Sequence, residues 1–126
     1  MFLIEFDRSR RLVKITVTGE ATAEEAKSAL ERLRSLLNEV EPGFSLLADM
    51  SALLSMPTSA APYLGQVMES SADKGVALVV RVLPSDPSRD IGLAIISRFH
   101  YPPDIPIVTC ATVEEAMRHL NEKSGF

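Results

Sequence analysis

The 126-residue sequence has a single cysteine, no tryptophan, and six glycines that stand far apart. One cysteine excludes an internal disulfide and any metal site built from several cysteines. Scattered glycines exclude a phosphate-binding glycine loop and a dinucleotide-binding fingerprint, because both need glycines close together. No nucleophile-elbow motif is present either. The sequence therefore predicts neither an enzyme nor a protein with a cofactor.

Positive charge is also scarce, since 13 Lys and Arg residues stand against 17 Asp and Glu residues, for a net charge of −4. The one basic cluster contains Arg8, Arg10, Arg11 and Lys14. It lies beside a predicted hairpin turn, where solvated charges are ordinary. Nucleic-acid binding needs concentrated positive charge, so we expect no nucleic-acid partner.

Long apolar runs are missing as well. None approaches the roughly 18 residues of a membrane-spanning helix, and no charged-then-apolar leader is recognisable. We therefore expect a cytoplasmic protein with no membrane partner. A chain of 126 residues that is 46% hydrophobic is long enough for one core, so we predict one domain over residues 1–126.

Strand and helix patterns alternate along the chain. "FLIEF" (2–6) and "LVKITVT" (12–18) alternate at period two around a polar turn, which predicts a β-hairpin. An amphipathic helix is predicted over 23–40, with Thr22 and Glu25 as a capping box. The remaining predicted strands cover 44–49, 76–82 and 107–110. The remaining predicted helices run from Ala60 to about Asp73, over about 89–99, and after Thr112. Thr112 is predicted to form a second capping box with Glu115.

This order, β-β-α-β-α-β-α-β-α, predicts an α/β fold. Strands that alternate with helices form parallel pairs with right-handed crossovers, and the opening hairpin makes the sheet mixed. We expect a mixed, mostly parallel sheet of about five strands with four helices.

The cysteine and the two histidines have no neighbours in the sequence that predict a catalytic or metal-binding site. Cys110 follows β-branched residues and is predicted to be a small buried hydrophobe. His100 and His119 have no partner at metal-ligand spacing, so we expect both to face solvent. The sequence predicts no catalytic residue and no metal ligand.

Three stretches stand in a familiar order: "VTGEATAEEAKSALERL" (17–33), "DMSALLSMPTSAA" (49–61) and "VTCATVEEAMRHL" (108–120). Together with the element order, they resemble the STAS domain, the family of SpoIIAA-like anti-sigma factor antagonists and of the cytoplasmic tails of sulfate transporters. The resemblance covers residues 2–120. It implies a non-enzymatic, protein-binding domain of signalling and transcription regulation. The implied partner is an anti-sigma factor that is also a kinase.

The resemblance also implies a phosphorylation switch. The family's phospho-acceptor serine falls on Ser59 at the start of the second helix, and the preceding Thr58 is the other candidate acceptor. Asp49 matches the family's Asp at the end of the preceding strand, and Ser51 and Pro57 are the other expected supports of this switch loop. In the family, the unmodified form binds the partner and frees the sigma factor.

Two positions depart from the family pattern. Pro57 stands where the family has Asp, and Ala60 stands where it has Gly. Both changes suit a permanently formed helix start, at which Thr58 or Ser59 simply caps the helix, a role worth about 1 kcal/mol. The departures favour capping over phosphorylation, and both interpretations stay open at this point.

Two further features concern ligands and partners. Leu93, Ile96 and His100 project away from the inward stripe of the predicted third helix, which predicts either an interface, such as a homodimer contact, or cover by a neighbouring loop or helix. SpoIIAA-like folds also resemble the lipid-binding CRAL-TRIO architecture. A small apolar ligand or a lipid is therefore the alternative function, although ordinary core packing explains the same side chains: Met50, Met56, Met68, Met117, Phe44 and Phe99.

Overall fold

The computed structural model describes residues 1–84 and 101–123. Within these ranges, strands and helices alternate as the sequence predicts, and the predicted helix over 89–99 lies outside the described residues. The elements are β1 (Phe2–Asp7), β2 (Leu12–Val17), β3 (Gly19–Glu20), α1 (Ala23–Leu37), β4 (Ser45–Asp49), β5 (Leu53–Ser55), α2 (Ala61–Lys74), β6 (Leu78–Val82), β7 (Ile107–Cys110) and α3 (Val113–Lys123).

Five strands form one mixed sheet in the order β1-β2-β4-β6-β7. The hairpin pair β1 and β2 is antiparallel, and each later neighbour is parallel to the one before it. Parallel neighbours need a crossover connection, which α1 supplies between β2 and β4 and α2 supplies between β4 and β6. The predicted mixed, mostly parallel sheet of five strands is confirmed.

A second, two-stranded sheet was not predicted. The sequence pattern predicted that the second strand extends to Thr18 and that residues 50–59 have no regular structure. In the structure β2 ends at Val17, and the short strands β3 and β5 pair in parallel, with Gly19 opposite Leu53. Strands of two and three residues are too short to show a period-two alternation, so the sequence carried no signal for them.

Helix α1 follows its sequence pattern closely at its start. The Thr22 hydroxyl accepts a hydrogen bond from the Glu25 backbone N–H at 3.1 Å, and the Glu25 carboxylate accepts one from the Thr22 N–H at 3.3 Å. This is the predicted capping box. The helix ends at Leu37 rather than at residue 40, because the next N–H groups bond carbonyls three residues back.

Two apolar layers cover the two faces of the sheet. The first lies between the sheet and helices α1 and α2, where Leu33, Phe44 and Ala60 are fully buried. The second lies between the sheet and α3, where Leu47 and Val80 are fully buried. No helix within the described ranges is long and apolar enough to cross a membrane.

The end of α2 is fixed by a glycine. Gly75 has φ of +95°, a left-handed conformation that L side chains rarely adopt. A Cβ at this position would also lie 2.9 Å from the Cβ of Pro42. The Gly75 carbonyl accepts a hydrogen bond from the Gly43 N–H at 2.8 Å, which joins the turn before β4 to the turn before β6.

Candidate functional site

The candidate site is the β4–α2 segment, residues 50–60, which leads from the end of β4 to the start of α2. Asp49 opens it: its Oδ1 accepts hydrogen bonds from the Ser51 backbone N–H at 3.1 Å and from the Ser51 hydroxyl at 2.7 Å. A carboxylate that bonds the backbone two residues ahead forms a tight Asx turn. Asp49 and Ser51 therefore shape the first bend of the segment.

Backbone pairing with β3 holds the middle of the segment. The Gly19 N–H donates to the Ala52 carbonyl at 3.0 Å, and the Ala21 N–H donates to the Ser55 carbonyl at 2.9 Å. Met50 and Leu53 are buried in the first apolar layer and anchor the segment from below. The segment is thus ordered by its backbone and by buried side chains.

The last part of the segment is a 3₁₀ turn, Thr58–Ala60, that runs directly into α2. Pro57 precedes it with φ of −71°, close to the value its ring imposes, and its carbonyl accepts from the Ala60 N–H at 3.0 Å. Thr58 and Ser59 are exposed, whereas Ala60 is fully buried against the core. Ser59 therefore stands in solvent on the turn that begins the second helix.

The predicted capping role of Thr58 or Ser59 is wrong. Neither the 3₁₀ turn nor α2 has a side-chain hydrogen bond at its start. The physical reason is position: the residues that flank the two helical starts are Pro57 and Ala60, which have no side-chain oxygen, while both hydroxyls lie inside the turn. Helix α3, by contrast, shows half of its predicted capping box: the Thr112 hydroxyl accepts from the Glu115 N–H at 3.2 Å, but the Glu115 carboxylate accepts from the Ala111 N–H rather than from Thr112.

The two departures from the STAS pattern fit the backbone without strain. Ala60 has φ of −80° and ψ of −20°, in the right-handed region that any residue adopts. The turn therefore does not need the glycine of the family pattern, and the Ala60 methyl group instead fills the core. Pro57 likewise occupies a position whose φ it prefers, so the permanently formed turn is explained without a capping side chain.

The chain on both sides of Ser59 is free of charged residues over a long stretch. Residues 50–68 include no Asp, Glu, Lys or Arg. The first turn of α2 contains no acidic residue, unlike the first turn of α1, which has Glu24 and Glu25. A helix N-terminus carries partial positive charge, so its usual acidic partner is missing here.

Leu54 is an exposed apolar side chain that the sequence analysis did not single out. It is 58% exposed, on β5 of the same segment as Ser59. Its position next to Leu53, which is buried, follows from the alternation of side chains along a strand. The pairing of β5 with β3 decides which of the two adjacent leucines faces solvent, and that pairing was not predictable.

The predicted interface at Leu93, Ile96 and His100 lies outside the described residues. It stays a prediction, and so does the homodimer that it would support.

A small cavity lies between the sheet and α2. Its volume is about 60 Å³. Tyr101 lines it near Arg81, and burial raises the pKa of the Tyr101 phenol well above its usual range, so the phenol is neutral there. Of the side chains that the sequence suggested for an apolar pocket, three line this cavity: Met50, Met56 and Met68.

The other suggested pocket residues lie elsewhere. Phe44 is fully buried and does not line the cavity, Met117 belongs to the layer under α3, and Phe99 lies outside the described residues. An apolar cavity of roughly 150 Å³ accepts one benzene molecule, so the present volume holds no acyl chain without expansion.

Cys110 and His119 have an arrangement that the sequence analysis missed. Cys110 is buried, as predicted, and burial together with the nearby Glu115 charge raises the pKa of its thiol, against a smaller opposing effect of Arg118. His119 is half-buried rather than solvent-exposed. Ligand atoms of Cys110, Glu115 and His119 all lie within 4.8 Å of one another. The Glu115–His119 spacing of four residues, just after a cysteine, was the available signal.

No protein-family model matches the sequence, and no curated protein matches it either. Solved structures do match. The anti-sigma factor antagonist SpoIIAA in its unphosphorylated form is similar at a TM-score of 0.64 and 17% identity, over 100% of both chains. The Bacillus cell fate determinant SpoIIAA in its phosphorylated form is similar at a TM-score of 0.62 and 20% identity, over 95% of this chain and 99% of that one.

A third similar structure is a Shewanella loihica protein with a SpoIIAA-like fold, at a TM-score of 0.69 and 16% identity, over 95% of this chain and 92% of that one. The chain therefore has the SpoIIAA-like fold of STAS domains, as the three sequence stretches implied. At these identities the likeness defines the fold, and the function has to be argued from the site.

Proposed function

We propose that this protein is a regulatory protein-interaction domain of the anti-sigma factor antagonist type, which acts by binding rather than by catalysis. Its partner is an anti-sigma factor with kinase activity, and the partner's kinase phosphorylates Ser59. Phosphorylation then weakens binding of that partner. The cytoplasm, where sigma factors act, is the compartment that follows from this proposal.

The observation that carries the proposal is the state of Ser59. Its hydroxyl is exposed, makes no capping hydrogen bond, and lies on the turn before α2, where the STAS pattern has its phospho-acceptor. A hydroxyl occupied in a cap would have to leave that role before it could be modified. Ser59 has no such role, and this supports the proposal that it is modified.

The charge of the surroundings explains why a phosphate would matter here. A phosphoserine carries about −1.5 to −2 charges at neutral pH. It would place this charge within residues 50–68, which have no charged side chain, at a helix start without first-turn acids. The turn tolerates the added group because of the helix dipole, whereas a partner surface fitted to the uncharged hydroxyl does not.

The first experiment detects the modification. Protein isolated from its native host under several growth conditions is analysed by Phos-tag electrophoresis and by mass spectrometry of peptides. We expect one phosphorylated species that disappears in Ser59→Ala and persists in Ser51→Ala. Ser51 is a matched control because its hydroxyl is occupied by Asp49. Absence of any phosphorylated species, or its persistence in Ser59→Ala, would contradict the assignment.

The second experiment measures binding. The host protein captured by immobilised wild type is purified, tested for ATP-dependent phosphorylation of Ser59, and titrated against variants by calorimetry. We expect Ser59→Asp to weaken binding by at least about tenfold, which corresponds to about 1.4 kcal/mol. Ser59→Ala should bind as wild type does. A Ser59→Asp variant with unchanged affinity for a captured kinase would show that the docking surface lies elsewhere.

Leu54 tests the extent of the same surface. It is exposed and apolar beside the turn, as an interface residue often is. Leu54→Ala is expected to weaken partner binding, and Leu3→Ala, at a similarly exposed leucine on β1, is the control that should not. If the two substitutions change partner binding equally, the partner surface does not lie on the β4–α2 segment in particular.

The alternative function is binding of a small apolar ligand, and the cavity beside α2 is the observation that favours it. Its lining is almost entirely apolar, with flexible methionines that can adjust to a guest. Native mass spectrometry of purified protein checks this function. Co-purified lipid or another apolar molecule would support it, and a clean apo mass would leave the cavity as a packing void.

A further inference from the structure

We propose that Cys110, Glu115 and His119 bind one Zn²⁺ ion. The site lies on the far side of the sheet from α1 and α2, at the connection between β7 and α3. Cys110 ends β7, and Glu115 and His119 lie one turn apart on α3. One ligand atom from each side chain lies within 4.8 Å of the other two. The three residues thus converge on one point from two elements of the fold.

The local hydrogen bonds hold two of the ligands in place. The Thr112 hydroxyl caps α3 through the Glu115 N–H at 3.2 Å, and the Glu115 carboxylate accepts from the Ala111 N–H at 3.2 Å. The carboxylate is therefore folded back toward the end of β7, where Cys110 is buried. This second-shell bond uses one carboxylate oxygen and leaves the other for a metal ion.

Within the described ranges neither the Cys110 thiol nor the His119 ring has a hydrogen-bond partner, and the Cys110 side chain also packs in the second apolar layer. The helix cap explains the position of Glu115 alone. The spacing of four residues along α3 brings His119 beside that carboxylate, but neither feature explains why the Cys110 thiol lies there too. A shared metal ion accounts for all three.

The donor set and the distances fit zinc. Thiolate, imidazole and carboxylate are the zinc ligands of proteins, whereas Ca²⁺ and Mg²⁺ take oxygen ligands. Tetrahedral zinc with bonds of about 2.0–2.3 Å separates its ligand atoms by about 3.3–3.6 Å. Ligand atoms that lie within 4.8 Å of one another are therefore at most about 1.5 Å farther apart than in a tetrahedral zinc site. Zinc would displace the thiol proton to solvent, and a water molecule would complete the tetrahedron.

Zinc at this site would tie α3 to the end of β7. These two elements enclose the second apolar layer with Ala116 and Leu120, so the ion would stabilise the packing of the last helix against the sheet. The site is independent of Ser59, which lies on the other layer of the fold. Its presence or absence therefore does not decide the proposed switch.

The test uses full-length, tag-free, reduced protein titrated with ZnCl₂, CoCl₂ or MgCl₂ alone. We expect one Zn²⁺ per monomer, and a Co²⁺ complex with a sulfur-to-cobalt charge-transfer band, which must arise from Cys110 because the chain has one cysteine. Cys110→Ser should abolish the band. Glu115→Gln and His119→Gln should each weaken Zn²⁺ binding by more than about tenfold.

The matched control is Glu114→Gln, which changes the exposed neighbour of Glu115 and should bind Zn²⁺ as wild type does. Zinc should also raise the Tm of the wild type and of Glu114→Gln but not of Cys110→Ser, and far-UV circular dichroism checks that each variant is folded. Equal Zn²⁺ affinity in all variants, a Co²⁺ spectrum without sulfur ligation, or one ion shared by two protomers would each overturn the proposal.

Discussion

Three threonines near helical starts show that a shift of one position along the chain decides whether a hydroxyl caps the helix. Thr22 and Thr112 each stand directly before a helix and accept a hydrogen bond from the backbone three residues ahead. Thr58 stands one residue later relative to its turn and accepts none. A cap needs the extended backbone of the residue before the helix, which Pro57 occupies at the third start.

This difference leads to a prediction about stability. Thr22→Ala should lower the free energy of unfolding by about 1 kcal/mol, because it leaves the Glu25 N–H without its acceptor. For a chain of this size that corresponds to a fall in Tm of about 3–6 °C. Thr58→Ala, the same chemical change, should stay within about 0.5 kcal/mol of wild type. Thermal unfolding of both variants is the measurement, and an equal loss would show that Thr58 also caps.

Glu25 has a second role beyond the capping box. Its carboxylate lies 3.1 Å from the Met1 amino group, and the hydrogen bond with that group, followed by those with Thr22, holds the pKa of Glu25 below its ordinary value of 4.5. A carboxyl group whose pKa is lower in the folded state stabilises the fold above its unfolded pKa. That contribution is lost as the pH falls through the folded pKa.

We therefore expect the Tm of Glu25→Gln to fall less than that of wild type between about pH 5 and pH 3. Glutamine can still accept the hydrogen bond of the capping box, so the variant removes the charge and keeps the cap. Glu24→Gln, in the same helical turn, should follow the wild-type pH dependence. The measurement is Tm against pH on protein that begins at Met1. Parallel curves for wild type and Glu25→Gln would contradict the role of the ion pair.

At the scale of elements, long amphipathic segments were predictable and short ones were not. The apolar stripe of α1 is buried where its period of 3.6 places it, with Leu33 fully inaccessible. The strands β3 and β5 carry no periodic signal, and they form because residues distant in sequence supply the pairing partners. Since β5 belongs to the candidate site, part of that site was not visible in the sequence.

The packing of α1 gives a prediction with an internal control. Leu33→Ala should lower the free energy of unfolding by about 2–5 kcal/mol, since it removes buried methyl groups and leaves a cavity. Leu54→Ala makes the same change at a side chain that is 58% exposed and should cost less than about 0.5 kcal/mol. Urea unfolding measures both. A large loss for Leu54→Ala would mean that this leucine serves packing rather than a partner.

At the scale of the whole molecule, the two apolar layers share one sheet. Leu46 and Leu47 are adjacent in β4, and one faces α1 and α2 while the other faces α3. Each layer therefore depends on the same backbone hydrogen bonds. A chain built in this way should unfold in one cooperative step, as one domain.

The expected outcome is that urea unfolding curves from far-UV circular dichroism and from tyrosine fluorescence coincide. Tyr101 is buried in the first layer and Tyr63 is half-buried on α2, so fluorescence reports on that side of the sheet, while circular dichroism includes α3. Two separated transitions would show that α3 and its layer unfold independently, and would contradict the single-domain prediction.

The candidate site was predictable in its location but not in its details. The resemblance to STAS domains placed Ser59 at the start of the second helix, and the structure puts it there, exposed. That Thr58 and Ser59 do not cap depends on where the turn begins, to within one residue. Such a boundary is set by the burial of Ala60 against the core and by the pairing of β5, neither of which is a local property.

The sequence by itself determined the order of the longer elements within the described ranges, the inward face of α1 and two of the helix caps, because these depend on residues within one or two helical turns of each other. The tertiary structure alone decided that β3 and β5 pair, that Leu54 faces solvent, and that Cys110 meets Glu115 and His119. Each of these features brings together residues from different elements of the fold. Their geometry therefore depends on how the elements of the described ranges pack against one another.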